Sequence, residues 1–270
     1  MSSSHLNPDI NRRTFIASSA AFAIGYEGLM NSTSDMEPGR ESWPEYDQVI
    51  VVDFLASPGY FNYPLNPPLN DLMIANAIGS GITAVNLTVS GSNFADTVQN
   101  IAGWMNRIER YPEAFTQVRT VDQLLATKRE RKLGIVFGFQ DTTPFEGGLE
   151  KIEIFLNLGV KVTQLTYNIR NLAGDGCLEP ANGGLTGYGH AIVERMNELG
   201  MIVDLSHCGQ RTTAQGISAS SVPVAITHSG CNSVARHPRS KDDAELRALA
   251  EAGGVIGIYL MPFLTPGRVP

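Results

Sequence analysis

The chain has 270 residues, 43% of them hydrophobic and 17% charged, and 20 Lys+Arg against 27 Asp+Glu leave a net charge of −7. It is too apolar for a disordered chain and too poor in charge for a coiled coil, and its acidic balance argues against a nucleic-acid partner, which would require a basic face. No run of about 18 uncharged apolar residues occurs, so no transmembrane span is expected. The length suits one or two domains, or one α/β barrel of roughly 250 residues.

Residues 1–30 read as an export signal. Arg12 and Arg13 precede a mildly apolar run from Phe15 to Gly25, the pattern of a bacterial twin-arginine signal, so a periplasmic or otherwise exported protein is expected. Residues 31–46 are polar, contain Pro38, Gly39 and Pro44, and read as a linker. That leaves 47–270 for the folded domain.

From there short apolar, β-branched runs alternate with helical patterns. Gln48–Phe54, Ile82–Val89, Leu133–Phe139, Val160–Thr166, Met201–Ser206, Val222–Thr227 and Val255–Leu260 read as strands buried on both faces. Phe94, Val98, Ile101, Met105 and Ile108 recur at steps of three and four and define one helix face; Trp104 and Met105 are assigned to the core. Ile192, Val193, Met196 and Leu199 define another helix, which Gly200 ends. Strict β–α alternation implies a parallel sheet. The unit count favours a (β/α)8 TIM-barrel, and no Gly-x-Gly-x-x-Gly turn supports a dinucleotide-binding sheet instead. Seven strands precede Pro270, so the C-terminal strand and helices are expected to be missing from this chain.

In such barrels the chemistry gathers where strands end. His207 and His228 follow the fifth and sixth of these runs, one β/α unit apart, and are the leading candidates for a metal site; the competing reading is a pair of structural hydrogen-bonders. Cys208 and Cys231 stand close to them and could be ligands, a disulfide or simply packed thiols; Cys177 completes the odd count of three. The loop 169–186 reads as a candidate substrate lid, in which Asp175 and Glu179 could be ligands or acid–base groups, or only solvated or capping carboxylates. Arg239 could grip a substrate carboxylate through its planar fork, or be an ordinary surface arginine.

The stretch Gly184-Leu185-Thr186-Gly187-Tyr188-Gly189, the run from Met196 to His207, the segment from Pro223 to Ser229 and the triplet His237-Pro238-Arg239 resemble the membrane (renal-type) dipeptidase family, peptidase family M19, in a divergent bacterial branch. The resemblance covers roughly residues 48–264. It implies a barrel related to the amidohydrolases and hydrolysis of dipeptides by water activated on zinc. It implies that His207 and His228 bind the second zinc and that Arg239 holds the substrate's carboxylate. The departures matter equally. Leu55 and Ser57 stand where the family has the His and Asp of the first zinc, Gln140 where it has a bridging Glu, and Tyr167 where it has a substrate-facing His. A neutral amide bridges two cations poorly because it brings no charge. The family's acid–base Asp would follow the eighth strand.

The expected function is therefore a zinc-dependent hydrolase of dipeptides or related small amides, with one zinc more strongly indicated than two. His207 and His228 are its metal ligands, Tyr167 and Arg239 its substrate-binding residues, and Gln140 and Asp175 its candidate catalytic residues. The alternative is a degenerate barrel that binds a small molecule or peptide, or serves maturation, without metal hydrolysis; a thiol enzyme using Cys208 and Cys231 is a third. The expected partner is a small-molecule or dipeptide substrate, and a homodimer is compatible with everything above.

Overall fold

The computed structural model describes residues 43, 45–59 and 68–259. The expected export signal and most of the linker lie outside the described residues, as does Leu260. The chain divides into two compact units, 1–49 and 50–270. In the first, Tyr46–Gln48 forms one 3-10 turn, and the Trp43 ring meets Tyr46 edge-on at 6.1 Å.

The second unit is a parallel sheet of eight strands alternating with helices. The strands are β1 (Val52–Asp53), β2 (Ala84–Thr88), β3 (Phe115–Gln117), β4 (Leu133–Phe139), β5 (Val160–Gln164), β6 (Ile202–Asp204), β7 (Ala225–Ser229) and β8 (Val255–Ile258). The helices are α1 (Asp71–Gly79), α2 (Phe94–Arg110), α3 (Val121–Glu130), α4 (Glu150–Asn157), α5 (Gly187–Leu199), α6 (Gln210–Ala219) and α7 (Asp243–Glu251). Among the described residues no helix is long and apolar enough to cross a membrane.

The sheet runs β1-β2-β4-β5-β6-β7-β8, every pair parallel. Its two ends approach each other, because a Cβ on Gly257 of β8 would come within 3.0 Å of the Phe54 ring beside β1. The barrel is thus nearly closed. All seven expected strands are present: Leu133–Phe139 keeps its bounds, five are shorter than expected, and β7 starts three residues later than expected and ends two later, at Ser229. The count of seven is corrected to eight by β3, which lies off the main path. It pairs with Leu133–Ile135 on the edge of β4 opposite β2, below the place where β5 takes over that edge at Phe137. With one buried apolar residue in three, β3 carries too little pattern to be read from sequence.

Local chemistry sets the helix ends. Asn93 caps α2 by accepting from the Asp96 N–H at 2.9 Å, and Thr186 caps α5 through the Gly189 N–H at 3.0 Å. Gly200 ends α5 at φ 68°, as its position predicted. Ile192, Val193 and Met196 of α5 are fully buried, whereas Met105 of α2 is 37% exposed rather than core. Phe139 of β4 meets Phe155 of α4 edge-on at 4.9 Å, and Phe145 and Phe94 complete this aromatic layer.

Candidate metal centre at the strand ends

An apolar cavity of about 290 Å³ is lined by Val52, Val136, Val162, Ile202, Ala225 and Val255. These residues lie mainly in the first halves of their strands, and no titratable side chain lines it, so it is barrel interior rather than a reaction site. The polar residues collect at the opposite, C-terminal strand ends.

There the two histidines converge. His207 follows β6 and His228 lies within β7; each is 5% exposed, and their Nε2 atoms are 2.9 Å apart. The other ring nitrogen of each is held. His207 Nδ1 donates to Asn168 Oδ1 at 2.7 Å, and His228 Nδ1 lies 2.8 Å from Thr227 Oγ1. Burial is the main cause that holds both rings below the ordinary imidazole range. For His207 the charges of Arg239, His228 and Lys241 add to it; for His228, Asp204 opposes while Arg239 and Lys241 add. Both rings are therefore neutral near pH 7, the form that ligates metal.

Gln140, just past β4, places its amide nitrogen 3.4 Å from His228 Nε2. Gln164 anchors it by donating its Nε2–H to the Gln140 carbonyl. Tyr167, just past β5, stacks on His207 with ring centroids 4.1 Å apart and 19° between planes, while remaining 43% exposed. Arg239 is not a surface arginine: it is 5% exposed. Its guanidinium donates to the Ser206 carbonyl and, at 3.0 Å, to the His228 carbonyl, and lies 5.3 Å from the Tyr259 ring centre. Among the described residues it has no carboxylate partner. Four of the expected site residues, Gln140, Tyr167, His207 and His228, are thus in direct contact, and Arg239 braces the backbone under both histidines.

Asp175 is placed differently. Its side chain is fully buried within the loop, with one oxygen 2.6 Å from Arg170 Nε and the other accepting from the Gly183 N–H. The Arg170 bond, opposed by burial and helped by Gly183, holds its carboxyl below the usual range. Both oxygens are spent on loop structure, which removes the reason to give Asp175 an acid–base role. The loop is a packed segment rather than a free lid. Asn171 donates to the Leu165 carbonyl at 2.9 Å, and Gly176 forms a bridge with Cys208. Gly176 is required there, since a Cβ would fall 2.2 Å from the Tyr167 carbonyl oxygen.

The three cysteines are free thiols. Among the described residues no cluster of three or more His, Cys, Asp or Glu side chains forms, so neither a thiolate nor a carboxylate joins the imidazole pair. The pair suits one tetrahedral ion as a partial set: two zinc-bound nitrogens would sit about 3.3 Å apart, a few tenths more than they do here.

Several contributors drew no assignment from sequence. Asn168 and Thr227 touch the rings directly. Asp204, 2% exposed, accepts from Thr227 Oγ1 at 2.7 Å. An acidic residue at the end of an apolar strand, two positions before Ser-His, is a usable signal for Asp204. Lys241 is buried and donates to the Cys208 carbonyl at 2.8 Å and to Thr213 Oγ1 at 2.7 Å, and nothing in its polar neighbourhood betrays that burial.

Known proteins are similar to this chain in sequence and fold. The sequence profile of the membrane dipeptidase family, peptidase family M19, matches residues 73–268. A dipeptidase of Clonostachys rogersoniana is 33% identical over 176 residues, which are 64% of this chain and 45% of that protein; the chain thus spans less than half of this relative's length. An amidohydrolase from Pseudomonas aeruginosa superposes with a TM-score of 0.71 at 35% identity, covering 79% of this chain and 63% of the other. A metallopeptidase from Rhodobacter sphaeroides, bound to a phosphinate mimic of the dipeptide L-Ala-D-Ala, shares the fold with a TM-score of 0.68 at 16% identity, covering 80% of this chain and 75% of the other. A (β/α) barrel with paired strand-end histidines and a family profile over most of its length, the chain belongs to the membrane dipeptidase family of metallopeptidases, M19.

Proposed function

We propose that this protein is a zinc-dependent hydrolase that cleaves dipeptides or related small amides at the His207/His228 site. The observation that carries this reading is the 2.9 Å approach of two buried, neutral imidazole Nε2 atoms from adjacent strand ends. Zinc bound there would lower the pKa of water toward neutrality and polarise a carbonyl. His207 and His228 would hold the ion. Gln140 lies beside His228 and could add a neutral amide contact to the ion or to the substrate. Tyr167, exposed and stacked on His207, stands where substrate would enter. Arg239 keeps a buried positive charge without an ion pair among the described residues, which a substrate carboxylate would neutralise.

One ion is favoured over two. In the resemblance, Leu55 and Ser57 occupy the positions of the first zinc's ligands; the first is a hydrocarbon, and the Ser57 hydroxyl accepts from the Gly59 N–H at 3.2 Å. Gln140 replaces the charged bridge.

The absence of a third His, Cys, Asp or Glu beside the pair among the described residues favours a second reading, a barrel that binds a small molecule or peptide without metal hydrolysis. Elemental analysis of the purified protein, with hydrolysis of a dipeptide panel before and after chelation, separates the two. Zinc near one per chain and hydrolysis abolished by chelator support the first. A metal-free protein that binds dipeptide and hydrolyses nothing supports the second.

Export through the twin-arginine route completes the proposal, on the strength of Arg12-Arg13 before a mild apolar run. Cell fractionation of the wild type and of an Arg12→Lys/Arg13→Lys variant tests it: retention of the variant inside the cell is expected, and unchanged distribution overturns it.

A further inference from the structure

We propose that Asp204 and Thr227 are positioning residues that act through His228, locking its ring in the tautomer that turns a bare Nε2 lone pair toward His207. The role assigned to that lone pair rests on the zinc reading above; the tautomer itself does not.

The donors and acceptors around Asp204 fix where each proton lies. Asp204 closes β6 and is an acceptor only. It receives the backbone N–H groups of Ser206 and Thr227, both at 3.0 Å, and faces the Ser206 hydroxyl at 2.5 Å and the Thr227 hydroxyl at 2.7 Å. Each hydroxyl has one proton. The two hydroxyl oxygens also lie 3.0 Å from each other, but a proton placed there would strip the shorter contact of its donor to the carboxylate, so both protons go to Asp204. Ser206 Oγ is then free to accept, and it does so from the His228 N–H at 3.1 Å. Thr227 Oγ1, its proton spent, meets His228 Nδ1 at 2.8 Å and can only accept. His228 therefore carries its proton on Nδ1 and its lone pair on Nε2. The reverse assignment would leave a carboxylate oxygen and a hydroxyl oxygen 2.7 Å apart with no proton between them.

A different acceptor does the same for the partner ring. Asn168 Oδ1 accepts from His207 Nδ1 at 2.7 Å and also faces the Cys177 thiol at 3.6 Å. Both Nε2 lone pairs thus point into one space 2.9 Å across, where they repel unless a cation lies between them. Asp204 touches neither ring. Its effect passes through one hydroxyl, the arrangement by which outer partners orient metal-binding histidines and raise their basicity.

Asp204 also ties β6 to β7, so a structural role must be separated from a positioning one. The experiment uses the full chain, metal-free, with ¹⁵N-labelled histidine, and reads the His228 ring nitrogens by NMR in wild type, Thr227→Ser and Thr227→Val. The Nδ1–H form is expected in wild type and Thr227→Ser. The Nε2–H form should gain in Thr227→Val, which keeps the shape and loses the acceptor. Zinc affinity, measured by competition with a chromophoric chelator, should fall about 10–100-fold in Thr227→Val and recover in Thr227→Ser. An Nε2–H ring in the wild type, or a Thr227→Val protein with wild-type tautomer and affinity, would overturn the proposal. If Thr227→Val does not fold, the wild-type ring shifts decide alone. Wild type that binds no zinc but shows the Nδ1–H ring removes the hydrolase reading and leaves the tautomer lock standing.

Discussion

The Nε2 atoms of His207 and His228 sit 2.9 Å apart at the ends of neighbouring strands, with their opposite nitrogens engaged by Asn168 and Thr227. The two rings therefore present their remaining nitrogens to one space, which is the site proposed above for zinc. His228→Ala is expected to reduce bound zinc to background in elemental analysis while leaving the circular dichroism spectrum unchanged. Zinc retained near the wild-type level would remove the pair as the metal site.

Gln140 tests what limits that shell. Its amide nitrogen is 3.4 Å from His228 Nε2 and carries no charge. Gln140→Glu puts an anion beside the ion, and a carboxylate a few ångströms from a divalent cation should tighten zinc by about tenfold or more at a protein-like dielectric. Unchanged affinity in a chelator competition would show that residue 140 does not face the metal.

Arg239 makes a prediction about substrate choice. If its buried charge receives a substrate carboxylate, the protein prefers a free dipeptide over its C-terminal amide. Arg239→Lys keeps the charge but loses the planar fork. The free dipeptide's KM should rise about tenfold with less change in kcat, and the preference over the amide should shrink. A preference that survives intact assigns Arg239 to bracing the Ser206 and His228 carbonyls alone.

Gly176 couples the loop to the site. A Cβ there would fall 2.2 Å from the Tyr167 carbonyl oxygen and 2.5 Å from that of Asn168. Gly176→Ala must push back the two residues that stack on and hydrogen-bond to His207. Zinc affinity should fall although residue 176 is no ligand, and wild-type affinity would show that the loop relaxes without moving Asn168.

Asp175 predicts a pH dependence. Its folded-state pKa lies below the ordinary 3.8, chiefly through the Arg170 bond. A carboxyl depressed by folding adds stability that is present above its unfolded value and is lost as pH falls through the folded value. Asp175→Asn should therefore cost about 1–3 kcal/mol near neutrality. In urea titrations the gap between wild type and variant should narrow below about pH 4. A gap that is constant from pH 7 to pH 3 would separate the loss from ionisation.

Much of the barrel was legible because strand and helix burial is local. Leu133–Phe139 is legible to the residue because Leu133, Ile135, Val136, Phe137 and Phe139 suit a strand covered on both faces. The end of α5 was equally plain, because Gly200 takes a left-handed conformation that few other residues accept. β3 escaped because its pairing with β4, not its own pattern, makes it a strand. Asp175 and Arg239 show what local sequence leaves open. A carboxylate in a polar loop reads as free for chemistry, yet Arg170 and Gly183 occupy both of its oxygens; an arginine in a polar segment reads equally as a surface residue or as a carboxylate binder, and its burial against the Ser206 and His228 carbonyls removes the first.

The amino-acid order by itself determined the parallel β/α alternation and the placing of His207 and His228 at successive strand ends. Those features follow from periodicity and from the one-unit repeat of the barrel. Only the tertiary structure decided which nitrogen of each ring faces its partner. That depends on hydroxyl and amide groups brought together from positions as far apart as Asn168 and His207, or Asp204 and Thr227. A hydrogen bond has direction, and direction is set by the packing of strands that are distant in sequence.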